Sequence, residues 1–531
     1  MTGLVGTRAL VRLAMRRDRI LLPVWLAVFV GMAASSAAAG VDLYPTVQSR
    51  VLAAMSLNGT QTLVALYGRI YDPTSIGGIA MIKLGGIGAV FVAVLAILIV
   101  VRHTRAEEEA GRLELVGSTV VGRYAPLTAA LLVALGLNLA LAVLTAFGLI
   151  AAGLPADGSF AFGLAWAGVG IAFAAIAGVT AQLTRSARAA AGIASAVLGF
   201  VYVLRAIGDT AGRTGPRWLT WLSPIGWGQQ FRPYAGNRWW VLLITVGFTV
   251  AVAAGAYALL ARRDLGAGLV PDRPGPAMAA PSLRSPLALA WRLQRGGLLG
   301  WAAAFLLLGL VFGNIASSIG DFVSTPETRD FITKLGGEKG LVDAYIRICL
   351  SMIGLTASAY GVQAAMRLRS EETGFRAESI LATATGRIRW AWSHVFVAIL
   401  GTTLLIVVAG AGAGLAHGAQ VHDMGEGFGV FGGALAQVPA ACVLTGIVVA
   451  AFGLAPRLVA AGWVALVAFV LLGELGPLFG FDQWVMNVSP FTHVPKIPGA
   501  ELTVTPLLML IAVTALLITV GLVGFRRRDV G

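Results

Sequence analysis

Residues 78–123 read GIAMIKLGGIGAVFVAVLAILIVV and then RHTRAEEEAGRLELVGSTVVGR. The first stretch holds a single charge, Lys83, whereas the second holds eight between Arg102 and Arg123. A helix needs about 20 apolar residues to cross the hydrocarbon core of a bilayer. Lipid offers no hydrogen bonds, so the backbone must satisfy itself, and a helix does so within one segment. The run lacks the alternation of a barrel strand. It reads as a transmembrane helix, and the charged string marks where the chain leaves the membrane.

Eleven further runs read the same way. The first half carries spans at 20–39, 78–101, 125–151, 161–183, 189–207 and 239–261, and the second at 298–319, 343–366, 391–416, 431–454, 458–475 and 503–525. Composition agrees: 57% of the 531 residues are hydrophobic and 12% are charged, against about 25% charged in a soluble domain. A soluble enzyme is excluded. The net charge of +14 raises the question of nucleic acid, but positive charge also collects in the cytoplasmic loops of membrane proteins. Placing both termini inside puts 26 of the 39 Lys and Arg residues in inner segments. The expectation is an even number of spans, both termini cytoplasmic and no nucleic-acid partner. The basic start, the apolar run and Ala37–Ala39 mimic a signal peptide, but the run has the length of a span, and a basic-then-apolar arrangement recurs mid-chain.

The charged string returns. Residues 369–387 read RSEETGFRAESILATATGR, and at an offset of 264 they repeat Arg105, Glu107, Glu108, Arg112, Glu114, Thr119, Gly122 and Arg123 as Arg369, Glu371, Glu372, Arg376, Glu378, Thr383, Gly386 and Arg387. Ser223-Pro224 returns as Ser489-Pro490, and Arg262-Arg263-Asp264 as Arg527-Arg528-Asp529. Matches in chain order at similar offsets imply a duplication, and an even number of spans per half makes the repeats parallel. The expected architecture is all-α and polytopic, with twelve transmembrane helices as two tandem six-helix repeats related by pseudo-twofold symmetry. Residues 1–264 form the first half with an inner elbow at 102–124, residues 265–284 a Pro- and Gly-rich cytoplasmic linker, and residues 285–531 the second half with an elbow at 367–389.

Glu108→Arg112 and Glu372→Arg376 have the spacing of i,i+4 ion pairs, which stiffen a short helix. Both elbows read as rigid levers for a cytoplasmic protein. Arg8, Arg12, Arg16 and Arg19 share one helical face before the first span, as an interfacial helix would, with Arg284, Arg292 and Arg295 as a weaker second copy. The Trp218–Trp240 stretch reads as an interfacial aromatic belt or as short re-entrant helices. Cys349 and Cys442 have no paired spacing. His417, His422 and Asp423 are too loosely spaced for a metal site and read as a solvated loop. All 25 acidic residues fall outside the span centres, which argues against a proton relay. No phosphate-binding loop or catalytic motif occurs in the sequence, so no cofactor is expected in this chain, and uphill transport would draw energy from a partner. On the residues alone, an ion-driven secondary transporter of six-plus-six architecture and a non-transporting membrane scaffold remain as alternatives.

The order of these features resembles the ABC-2 type permeases, and most of all the fused twelve-span actinobacterial group of polyketide-antibiotic exporters and multidrug-efflux permeases. The stretches carrying the resemblance are 107–123, 371–387, 222–240 and 489–495. It implies two copies of a separate cytoplasmic ATPase that bind ATP and magnesium. It also implies elbows acting as coupling helices through Glu107, Glu108, Arg112, Glu114, Glu371, Glu372, Arg376 and Glu378. The location would be a bacterial cell membrane and the cargo hydrophobic or amphipathic drugs or antibiotics. The pathway would run along spans two, five, eight and eleven, where Met81, Phe91, Phe200, Tyr202, Met352, Tyr360, Trp463 and Phe469 offer apolar and aromatic walls. The long segments 41–76 and 321–340 depart from shorter relatives, and their role is open.

Overall fold

The computed structural model describes residues 2–211, 215–270, 277–318, 337–472, 482–499 and 502–529. Every regular element among them is helical, and eleven helices are long and apolar enough to cross a membrane. The protein is a multi-pass membrane protein. Residues group into two compact units, Met1–Pro274 and Gly275–Gly531.

In the first unit the spans are Leu21–Leu43, a broken second span, Ala125–Ala151, Ala156–Leu183, Ala187–Thr210 and Val241–Ala261. The second span runs as Ile76–Lys83, a π-turn at Leu84–Gly88, and Ala89–His103. A π-turn displaces carbonyls from the helical ladder, and the indole Nε1 of buried Trp166 donates to Leu84 O at 3.0 Å. The N-terminal helix Thr7–Arg17 packs on the third span, burying Ala14 and leaving Arg8, Arg12 and Arg16 exposed. Residues 41–76 are folded: helices Val47–Gly59 and Gln61–Tyr67 occupy the end of the unit opposite the elbow.

The second unit holds Pro286–Ser318, Gly337–Ala365, Arg387–Val421, a tenth span broken into Met424–Leu435 and Val438–Leu454, the short apolar helix Ala461–Val470, and Val504–Arg527. Two expectations change here. The basic stretch around Arg292 and Arg295 is no separate interfacial helix but the start of the seventh span. In the first unit the break falls at Asp18, a weak helix former that turns inward to Arg102 and His103. Gln294 stands at the matching register of the second unit and interrupts nothing. The eleventh span, expected at 458–475, is described as Ala461–Val470, and 473–481 lie outside the described residues, as does 321–336. His417 is likewise no solvated loop residue. It is buried in the ninth span, and only a tight turn at His422-Asp423 separates that helix from the next.

Helices in lipid gain no hydrophobic drive from meeting each other, so close backbone packing holds them. Gly309 and Gly313 lie against the backbone of Ala409 and Ala413, and Gly453 against Gly521; a Cβ at any of the three would overlap a carbonyl oxygen.

Candidate functional site

Where the second span leaves its bundle, the helix stops at Thr104 and resumes as two short helices, Arg105–Glu109 and Arg112–Gly117. Gly111, at φ +70°, makes the corner. Glu108 is buried in this elbow and meets Arg263, just past the sixth span, through two bonds of 2.6 and 2.9 Å. Arg105 approaches the same carboxylate at 3.0 Å, and the Gly266 N–H donates to it at 2.6 Å. Both arginines also donate to backbone carbonyls: Arg105 Nε to Ala181 O at 2.9 Å, and Arg263 Nη1 to Ala267 O at 3.0 Å. Arg123 donates to Arg263 O at 2.6 Å. The neighbouring Glu107 receives a fork from Arg112, at 2.8 and 2.9 Å, and pairs with Arg17 of the N-terminal helix.

The second unit builds the same lock. After the eighth span come the short helices Arg367–Thr373 and Arg376–Leu381, with Phe375 at φ +55° making the corner. Buried Glu372 meets Arg528, just past the last span, through bonds of 2.5 and 3.0 Å, and Arg369 at 2.9 Å. Arg387 donates to Arg528 O at 2.8 Å. Glu371 receives Arg367 at 2.6 Å and Arg376 at 2.7 Å.

The expected i,i+4 pairs are therefore not the ones formed. Gly111 and Phe375 turn the chain between the two short helices, which brings Arg112 and Arg376 back onto Glu107 and Glu371 five residues away. Glu108 and Glu372 face inward to an arginine some 155 residues distant. The repeated charges thus close each elbow on its own unit, whatever else they do. The outward residues are Arg112, Glu114 and Leu115 in one elbow and Phe375, Arg376 and Glu378 in the other. Leu115 is 73% exposed and Phe375 69%.

These groups lie beyond the bilayer-crossing parts of their helices. Hydrogen bonds from Arg112, assisted by Arg17, bring Glu107 down to about 2. Burial opposes ionisation of Glu108, Glu371 and Glu372, but their arginine hydrogen bonds and charges outweigh it, so all three sit below the usual carboxylate range.

The expected pathway residues separate into two groups. Met81 and Tyr360 are buried within their own units, the Tyr202 hydroxyl is tied to Leu66 O at 2.7 Å, and Phe469 is partly buried. Phe91, Phe200, Met352 and Trp463 are exposed on spans two, five, eight and eleven.

Sequence reasoning missed a second polar cluster, at the end of the first unit away from its elbow. Arg205 and Asp209, both buried in the last turns of the fifth span, pair at 3.3 Å. Arg205 Nη2 donates to Ala65 O at 2.7 Å, Thr220 to Asp209 Oδ1 at 2.9 Å, and Arg69 to the carbonyls of Asp209 and Ala211 at 2.5 and 3.3 Å. The i,i+4 spacing of Arg205 and Asp209 was the available signal.

Fold and site define the class: an all-helical, multi-pass membrane protein whose units each lock an acidic elbow with an arginine that follows their last span. Residues 8–261 and 283–526 match the family described as the multidrug efflux system permease Rv1217c, C-terminal domain. The chain is 44% identical over 532 residues to the multidrug efflux system permease protein Rv1217c of Mycobacterium tuberculosis (strain ATCC 25618 / H37Rv), covering 100% of this chain and 96% of the relative. The chain belongs to this family.

Proposed function

We propose that this protein is the membrane-spanning permease of an exporter of hydrophobic or amphipathic drugs, powered by two copies of a separate ATPase. ATP and magnesium would bind to the partner, and this chain would supply the conduit rather than the chemistry. Both termini and both elbows would face the cytoplasm of a bacterial cell. Full-length similarity to a multidrug efflux permease supports the export reading. The observation that carries the ATPase reading is that both elbows are braced from within and turn a charged, partly apolar surface outward, with Leu115 and Phe375 among its most exposed residues. A large apolar side chain in an aqueous setting beside charge is characteristic of a surface that another protein covers. Exposed Arg112, Glu114, Arg376 and Glu378 would set register with that partner.

The experiment is co-purification with a cytoplasmic ATPase, with ATP hydrolysis measured in the reconstituted complex. Glu114→Lys combined with Glu378→Lys should weaken the complex and lower hydrolysis while the permease keeps its unfolding midpoint. Normal assembly and hydrolysis in that double variant would overturn the docking role of the elbows. Gradient-driven drug transport by this chain alone in liposomes would overturn ATPase coupling itself.

A further inference from the structure

At the end of the first unit away from its elbow, a cavity of about 70 Å³ opens between the π-turn of the second span and the segment after the fifth. Its charged lining consists of Arg69, Asp72 and Arg232. Asp72 spends Oδ1 on the N–H and hydroxyl of Thr74, at 2.9 and 2.7 Å. Arg69 is spent on backbone carbonyls. Arg232 is different: its guanidinium lies over the Tyr71 ring, 4.1 Å from the centroid, Nε is buried with no hydrogen-bond partner, and no carboxylate among the described residues pairs with it. Gln229, also in the lining, uses Nε2 on Tyr67 O at 3.0 Å and leaves Oε1 buried and unpartnered.

A half-buried cation without a counter-charge is costly. A guanidinium stacked on a ring keeps its N–H edge free, the edge that grips phosphate in a fork. The backbone is also held in a rare state here, since Arg232 and Tyr234 have φ of +54° and +63°. Bulky residues adopt that region where surrounding structure imposes it, and such positions cluster at ligand sites. The volume suits one small polar group rather than a whole drug, whose pocket is typically about 300–1,000 Å³. Trp218, Trp239 and Trp240 are exposed in the same segment, and exposed tryptophans sit at headgroup depth.

We propose that this cavity binds the phosphate-bearing head of an anionic amphiphile. Arg232 would take the phosphate, and Gln229 Oε1 would accept from a head-group hydroxyl. The shared chemistry is phosphate, and its source is either membrane lipid or free anion.

The test uses the full chain in phosphatidylcholine nanodiscs and reads bound lipid by native mass spectrometry, without ATPase or transport, so its failure is separate from failure of the export reading. Phosphatidylglycerol should be retained over phosphatidylcholine. Arg232→Gln should weaken that retention by about tenfold or more, the worth of a charged hydrogen bond. Arg232→Lys, which keeps the charge but loses the fork, should keep part of it, and Arg188→Gln, exposed at the elbow end of the unit, should leave it unchanged. Inorganic phosphate should displace the lipid only at high concentration. Phosphatidylglycerol held equally by native protein and Arg232→Gln, or no preference over phosphatidylcholine, overturns the site. Displacement by phosphate at the lipid's own concentration overturns the amphiphile as its source. If Arg232→Gln lowers the unfolding midpoint in phosphatidylcholine alone, the lysine variant decides, because loss of retention there as well points to packing instead of charge.

Discussion

Glu108 is held by two arginines and one backbone N–H at a position with almost no access to water. Removing one partner of such a group leaves the others charged and unpaired, which costs about 3–5 kcal/mol. Glu108→Ala is therefore expected to lower the unfolding midpoint of the purified protein substantially, and Glu372→Ala to do the same through Arg528. An alanine variant with the native midpoint would show that its lock does not matter to the fold. Acid should act on the same groups. Glu107 is held down to about 2 by Arg112 and Arg17, so its folded pKa lies below its unfolded one. Its contribution is complete above the unfolded value near 4.5 and disappears as pH falls from there toward 2. Hydrogen exchange over residues 105–117 should stay constant from pH 7 to 5, after correction for the intrinsic rate, and quicken below about 4.5. Glu107→Gln should flatten that dependence.

Span positions are legible in the sequence because length and apolarity are properties of a single run. Interruptions are less so. The π-turn at Leu84–Gly88 and the break after Leu435 leave hydropathy unchanged; at the second, Pro439 lacks the N–H that would bond Leu435 O, which ends the regular ladder there. The elbows were half legible. Their charges stood out by repetition, but their partners did not, because a bond between Glu108 and Arg263 joins residues 155 apart and spacing carries no information at that range. The available signal is a second repeated string, Arg262-Arg263-Asp264 and Arg527-Arg528-Asp529, of mostly opposite sign at the same end of each half. Glycine contacts between spans were not legible, yet they yield a sharp expectation. Gly313 faces the backbone of Ala413 in the ninth span, whereas Gly300, on the same helix, faces open space. Gly313→Leu should destabilise by about 1–3 kcal/mol, as overpacking does, and Gly300→Leu should be neutral or mildly stabilising. Equal midpoints for the two variants would mean that the seventh and ninth spans do not meet through their small residues.

At the scale of the whole molecule, the two units share a lock but not its bracing. In the first unit, the N-terminal helix reaches across to the elbow: Arg17 pairs with Glu107, and buried Asp18 takes Arg102 at 2.9 Å and the His103 ring at 2.7 Å. In the second, Glu371 is served from within its own elbow by Arg367 and Arg376. Among the described residues, Arg292 and Arg295 of the seventh span form no ion pair. The two units thus share the junction between elbow and last span and differ at the junction with the first helix. Asp18→Asn separates the two. It removes the charge that Arg102 and His103 share and leaves every contact of the second elbow in place. Hydrogen exchange should quicken over 105–117 and stay unchanged over 367–381. Arg528→Ala should give the reverse pattern, because Glu372 depends on that guanidinium and Glu108 does not. If either variant loosens both elbows together, the locks are coupled through the molecule rather than local to each unit, and the divergence of the first junction must then be read as regulation of both elbows from one side.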